Sequence, residues 1–148
     1  MADGLGYGDN AKAAFVTRGL TEITALGVAL GASPLTFSGL AGLGDLVATC
    51  ASPLSRNHHV GVELTKGRPL KEIIASMNGV AEGVTTALVA WNIARKLELE
   101  MPITEKIYQV LYKGIEPRQV MVELLGAEGR HELAGRKWKL FSLFKHRR

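Results

Sequence analysis

The chain has 148 residues, of which 47% are hydrophobic and 22% charged, enough to enclose the core of one domain. No apolar run reaches the ~20 residues that span a bilayer, Met1-Ala2-Asp3-Gly4 has neither region of a signal peptide, and the single cysteine, Cys50, excludes an internal disulfide. The formal charge of +4 is uneven: residues 128–148 carry a net +5 and residues 1–127 a net −1.

Gly4-Leu-Gly6-Tyr-Gly8 opens the chain with alternate glycines. The run lacks the preceding strand of a dinucleotide fingerprint and reads as a permissive lead-in to a helix capped by Asp9 or Asn10. Phe15, Leu20, Ile23, Leu26 and Leu30 recur at helical spacing, which predicts a helix over 12–30 ended by Gly31. Ser33-Pro34 reads as the N-cap and first position of a short helix over 35–40. Ala41 to Gly44 is a glycine-rich elbow, and Asp45 to Cys50 a second short helix whose continuation Pro53 blocks.

Ser55 begins a further helix, with Val60, Val62 and Leu64 on its apolar side and Lys66-Gly67 at its end. Pro69 at the first position starts the next (Leu70, Ile73, Ile74, Met77), and Asn78-Gly79 signals a turn. After Val80-Ala-Glu82-Gly83 a long helix is expected from about Thr85 to Leu99. Pro102 starts another that stops at Gly114, and Glu116-Pro117 caps a last one that stops at Gly126. Nothing shows sustained strand alternation or an internal repeat. The expectation is an all-α domain of about eight helices over 3–126, followed by a basic tail over 127–148.

Asp45 stands between Leu43 and Leu46-Val47, and an isolated charge in apolar surroundings needs a partner. Thr49, four residues on, shares its helix face. Ser55-Arg56-Asn57 at a helix start combines free backbone N–H groups, the positive end of a helix dipole and a guanidinium, which suits a phosphate or another anion. The plainer readings are an ordinary N-cap with Arg56 solvated, and a capping or salt-bridged Asp45.

Cys50, His58 and His59 lack the third orienting group that nucleophilic catalysis needs. A metal would need further ligands, and only His131 and His146 remain, so no metal is expected. Cys50 reads as a packed small residue and the two histidines as surface residues. Lys12 and Arg18, six apart, do not converge on a helix. Trp91, Tyr108 and Tyr112 read as core or subunit-interface packing. The tail mixes Trp138, Phe141 and Phe144 with cations, which fits either an element contacting an acidic or lipid surface or a solvated terminus. A folded nucleic-acid binder carries its basic patch on the domain itself, so the neutral body speaks against nucleic acid.

Six stretches then stand in the order and spacing of one family: Gly-Tyr-Gly-Asp-Asn-Ala-Lys-Ala-Ala (6–14), Thr-Arg-Gly-Leu-Thr-Glu (17–22), Gly-Leu-Ala-Gly-Leu-Gly-Asp-Leu (39–46), Leu-Ser-Arg-Asn (54–57), Val-Ala-Glu-Gly (80–83) and Met-Pro-Ile-Thr-Glu-Lys-Ile-Tyr-Gln-Val-Leu-Tyr (101–112). Over residues 3–126 the chain closely resembles the C-terminal domain of bacterial NAD(P)-dependent glycerol-3-phosphate dehydrogenases. The resemblance implies the helical C-terminal fold of the 6-phosphogluconate dehydrogenase-like oxidoreductases. It also implies a cytoplasmic enzyme that reversibly reduces dihydroxyacetone phosphate to sn-glycerol 3-phosphate for phospholipid synthesis.

By resemblance, Asp45, Thr49, Ser55, Arg56 and Asn57 contact substrate, and Arg56, Val80 and Glu82 contact NAD(P)H. Most of the cofactor is expected on an N-terminal Rossmann domain that this chain does not include, and the family forms homo-oligomers, here expected to be a dimer. The family's proton-transferring lysine falls before Met1 when counted back from Asp45, so the resemblance assigns this chain no catalytic residue and no activity alone. Lys12 belongs to the Asp-Asn-x-Lys stretch and does not fill that place. The alternative is a non-catalytic helical interaction or dimerisation module whose basic tail contacts lipid or nucleic acid.

Overall fold

A computed structural model describes residues 1–131, with side chains to Gly126, so the expectations for the tail lie outside the described residues. Those residues form eight α-helices and no strand: α1 (Asp9–Ala29), α2 (Pro34–Ser38), α3 (Asp45–Ala51), α4 (Arg56–Thr65), α5 (Leu70–Ala75), α6 (Glu82–Lys96), α7 (Pro102–Lys113) and α8 (Pro117–His131). The all-α expectation holds. None of these helices is long and apolar enough to cross a membrane.

Several boundaries differ from expectation, each for a local reason. Gly8 caps α1 in place of Asp9 or Asn10, because its backbone is extended (φ −69°, ψ 173°) and Asp9 is already helical. Asp9 then serves the first turn, where an acidic side chain suits the helix dipole, and pairs with Lys12 at 2.8 Å. The expected elbow is a π-helical turn, Leu40–Gly44, that runs directly into α3. Its Gly42 is buried against the backbone of Phe37, and the Phe37 ring lies on Gly27 of α1, so a side chain at either glycine meets Phe37.

Pro69 is the N-cap of α5 and not its first residue. α6 begins at Glu82, three residues before the expected start near Thr85. α8 passes through Gly126 to His131: Gly31 and Gly114 end their helices with φ of 96° and 69°, but Gly126 has no positive φ.

Two apolar clusters hold the helices together. Val60, Ile73 and Ala81 join α4, α5 and the loop before α6, with Met77, Val84 and Leu111 packed around them. Val110, Val120 and Leu124 join α7 to α8, with Phe15 of α1 and Ile103 against them. Leu64 touches both clusters, so α4 is the shared wall. Tyr108 is buried and stacks on Trp91 at 3.8 Å and on Tyr112 at 5.4 Å, the packing role expected of these rings. The Tyr112 hydroxyl donates to the Val84 carbonyl at 2.8 Å and ties α7 to the first turn of α6.

The most consequential polar group is Glu22, in the middle of α1 and only 6% exposed. Its carboxylate accepts from the N–H groups of Ile103 (2.6 Å) and Thr104 (2.9 Å) and from the Thr104 hydroxyl (2.8 Å). It therefore supplies from another helix the cap that Met101 cannot give α7. Glu22→Ala leaves buried N–H groups without acceptors, and urea unfolding should show a loss of about 2–4 kcal/mol. A loss under ~0.5 kcal/mol, the scale of surface substitutions, would show the clamp to be dispensable.

Glu63, also buried, lies between Lys66 (2.7 Å) and Arg68 (2.6 Å). Hydrogen bonds from Lys66 first and Arg68 second lower its carboxyl from 4.5 to about 2. A depressed folded value means that this pairing adds stability above the unfolded value and loses it as pH falls toward the folded one. The melting-temperature advantage of wild type over Glu63→Gln should be full at pH 6 and shrink between 4.5 and about 2. A pH-independent difference would rule the pairing out as its source.

Candidate functional site

The start of α4 is built as the sequence predicts. Ser55 is the N-cap, and its Oγ accepts the His58 N–H at 3.2 Å. The N–H groups of Arg56 and Asn57, in the same first turn, have no partner within their helix and remain for solvent or a ligand. Val60, one turn further on, is anchored in the first apolar cluster and fixes the direction in which this turn points.

The loop before α6 forms the opposite wall. Ala81 is buried against Val60 and Ile73, which pins the loop from below and leaves its neighbours Val80 and Glu82 exposed. Two side chains of α4 then bond to its main chain. The Arg56 guanidinium donates from Nη1 to the Val80 carbonyl at 3.2 Å, and Asn57 Oδ1 accepts the Gly83 N–H at 3.0 Å. Gly79 (φ 108°) supplies the left-handed turn that lets the loop close on Arg56, and a Cβ there would stand 2.6 Å from Nη1.

Between the walls lies a cleft of about 440 Å³ whose lining includes Thr49, Ser55, Arg56, Asn57, Val80 and Glu82. These residues come from α3, α4 and the start of α6, and the sequence had singled out each of them. Asp45 is different. It is exposed at the first position of α3, one turn from Thr49, and is not part of the cleft wall. The partner expected for an isolated charge is unnecessary because Asp45 meets solvent at a helix N-terminus.

The cleft combines one guanidinium, one carboxylate, three hydroxyls and a carboxamide with exposed apolar side chains at Leu54 and Val80. Its α4 wall offers donors fit for an anion, and its α6 wall offers an acceptor beside an apolar surface, fit for a hydroxyl-bearing group.

Cys50 is exposed on α3, contrary to the packed position expected, while Leu46 and Thr49 of the same helix are half-buried. His58 is not a free surface residue either: its Nε2 lies 2.8 Å from Asp3 Oδ2. Lys12 also binds Asp3, and Lys12 first and His58 second hold the Asp3 carboxyl below its ordinary value. This pairing ties the N-terminal turn to α4. Among the described residues, no three His, Cys, Asp or Glu side chains stand close enough to hold a metal.

Gly79, Gly83 and Asp3 are the parts that motif reasoning missed. Asn78-Gly79 announced a turn, and the Val-Ala-Glu-Gly stretch contained Gly83, but only the fold shows which side chains they receive.

Residues 1–122 match the family model described as NAD-dependent glycerol-3-phosphate dehydrogenase C-terminus. A glycerol-3-phosphate dehydrogenase [NAD(P)+] of Dehalococcoides mccartyi strain 195 is 64% identical over all of this chain, which covers 41% of that protein. One from Desulfitobacterium hafniense is 52% identical over 90% of the chain and 38% of its own length. The crystal structure of glycerol-3-phosphate dehydrogenase from Coxiella burnetii superposes with a TM-score of 0.81 at 40% identity, over 84% of this chain and 38% of that one. The chain thus spans about two fifths of the length of these relatives.

Proposed function

Since the chain belongs to the NAD-dependent glycerol-3-phosphate dehydrogenase family, as its C-terminal part, we propose that the α4 cleft anchors the phosphate of dihydroxyacetone phosphate or sn-glycerol 3-phosphate. The observation that carries this reading is the convergence of Arg56, Asn57 and the first turn of α4 on one open cleft. Arg56 spends one N–H on Val80 and keeps the others for phosphate oxygens. Asn57 and the free N–H groups of the helix start add neutral donors. Ser55 Oγ accepts from His58 in the cap, and its O–H remains to donate to a phosphate oxygen. Thr49 faces the same space from α3 and suits a substrate hydroxyl.

Holding the phosphate firmly at one end lets that binding energy position the carbonyl carbon at the other, where hydride and proton are delivered. Val80 and Glu82 fit a nicotinamide dinucleotide at the rim, one as an exposed apolar contact and the other as an acceptor for a hydroxyl. Such a cofactor, when bound, supplies the hydride. The proton donor is assigned to the part of the relatives that this chain does not span. Asp45, exposed and off the cleft wall, belongs to the part of the site that an N-terminal domain completes.

The surface around it supports that assignment. Leu35 of α2 (80% exposed) and Leu40 of the π turn that runs into α3 (90%) are uncovered. We assign this apolar face to the N-terminal domain of the complete enzyme, whose cofactor is NAD(P)H and whose place is the cytoplasm.

Two outcomes are expected. Arg56→Ala should weaken binding of sn-glycerol 3-phosphate to this chain roughly 10- to 150-fold, from about 1.5–3 kcal/mol per charged contact; calorimetry showing unchanged affinity would remove Arg56 as the anchor. Mixing the chain with the N-terminal portion of the D. mccartyi relative should produce NADPH oxidation that requires dihydroxyacetone phosphate, absent with either part alone. If the parts associate and Arg56→Ala leaves that activity intact, the cleft is not the substrate site.

A further inference from the structure

We infer that Gly83 is a positioning residue: its N–H fixes the carboxamide of Asn57 so that the side chain meets a ligand as a donor. The inference rests on the phosphate reading of the cleft and adds to it the reason Asn57 discriminates in favour of an oxyanion.

A carboxamide is ambivalent. Its oxygen accepts and its nitrogen donates, and a half-turn about the last torsion exchanges them at little cost. An asparagine free to turn would show an anion its oxygen as readily as its NH2 group. Here Oδ1 accepts the Gly83 N–H at 3.0 Å. That N–H is in the first turn of α6, without a partner in its own helix and at the positive end of its dipole. It holds the oxygen and repels the NH2 group, so the capacity left to Asn57 is largely that of Nδ2 to donate.

The glycine itself is explained by the same contact. Gly83 has no positive φ, so the backbone does not require glycine there. A Cβ at Gly83 would stand 2.8 Å from Asn57 Oδ1, 2.9 Å from Cγ and 3.1 Å from Nδ2. Only a bare Cα lets the carboxamide lie against the helix start. The donor is held independently of any ligand, because the Tyr112 hydroxyl on the Val84 carbonyl fixes the first turn of α6 and the Trp91–Tyr108 stack fixes the helix further along.

A double-mutant cycle on this chain tests the inference, with sn-glycerol 3-phosphate titrated by NMR and inorganic phosphate as a second probe. Gly83→Ala and Asn57→Ala should each weaken binding about tenfold, and Gly83→Ala should add nothing in the Asn57→Ala background, where its Cβ has room. The Asn57 side-chain NH2 resonance should shift on ligand addition in wild type and stay still in Gly83→Ala. Asn57→Asp, which keeps an acceptor for Gly83 and replaces the donor by a charge, should fold and lose binding even if Gly83→Ala does not fold. Equal losses from Gly83→Ala in both backgrounds, or a wild-type affinity of Gly83→Ala, would overturn the positioning role. An unchanged affinity of Asn57→Ala, by contrast, would sink the phosphate role of Asn57 itself. A still Asn57 resonance in wild type, or binding retained in Asn57→Asp, overturns the donor assignment.

Discussion

Glu22 sits in the middle of α1 with both carboxylate oxygens bonded to the first turn of α7. Removing a charge from water costs several kcal/mol, and only full bonding offsets that cost. The arrangement therefore tolerates little movement of α7 relative to α1. From that point the order passes along the fold: α7 carries Tyr108 and Tyr112, which hold Trp91 and Val84 of α6. The first turn of α6 contains Gly83, whose N–H reaches Asn57 on α4. A capping interaction far along the sequence from the cleft thus stands at the head of a continuous series of contacts that ends at a proposed ligand donor.

The cleft shows how a small helical domain makes a binding surface without a sheet. Its walls are two helix starts, which is where helices leave N–H groups unpaired and where the dipole favours anions and acceptors. The α4 start is turned toward the cleft because Val60 is held in the core beneath it, and the α6 start is held opposite because Ala81 fills the same core. Both walls rest on one apolar cluster, so their separation is set by the packing of Val60, Ile73 and Ala81. The two side chain to main chain bonds from Arg56 and Asn57 then close the gap above it.

Much of this was legible in the sequence. Helical spacing, Pro at helix starts and Gly at helix ends placed all eight helices, because each signal acts within one turn of chain. The helix ends at Gly31 and Gly114 were read correctly, and the stop at Gly126 was not, since a glycine ends a helix only where the chain adopts a positive φ. The π turn at Leu40–Gly44 was read as an elbow, because what compacts it is the approach of Phe37, a tertiary contact that no local rule contains. For the site, the Ser-Arg-Asn triplet carried its own chemistry. The meeting of that triplet with residues 79–83, more than twenty positions away, depended on burial of Ala81 and could not be seen in either stretch alone.

The position of Asp45 makes sense in the same terms. A carboxylate inside the cleft would stand near Arg56 and compete with a phosphate for its guanidinium, weakening the anchor by the strength of an ion pair. Placed one turn before Thr49 on α3, outside the wall and exposed, Asp45 leaves Arg56 available. The lining keeps one carboxylate, Glu82, and the Arg56 guanidinium is bonded to the neutral carbonyl of Val80. A main-chain carbonyl orients a guanidinium without neutralising it. The cleft thereby holds its cation in place with the charge still unspent, which is the condition the proposed phosphate anchor has to meet before its ligand arrives.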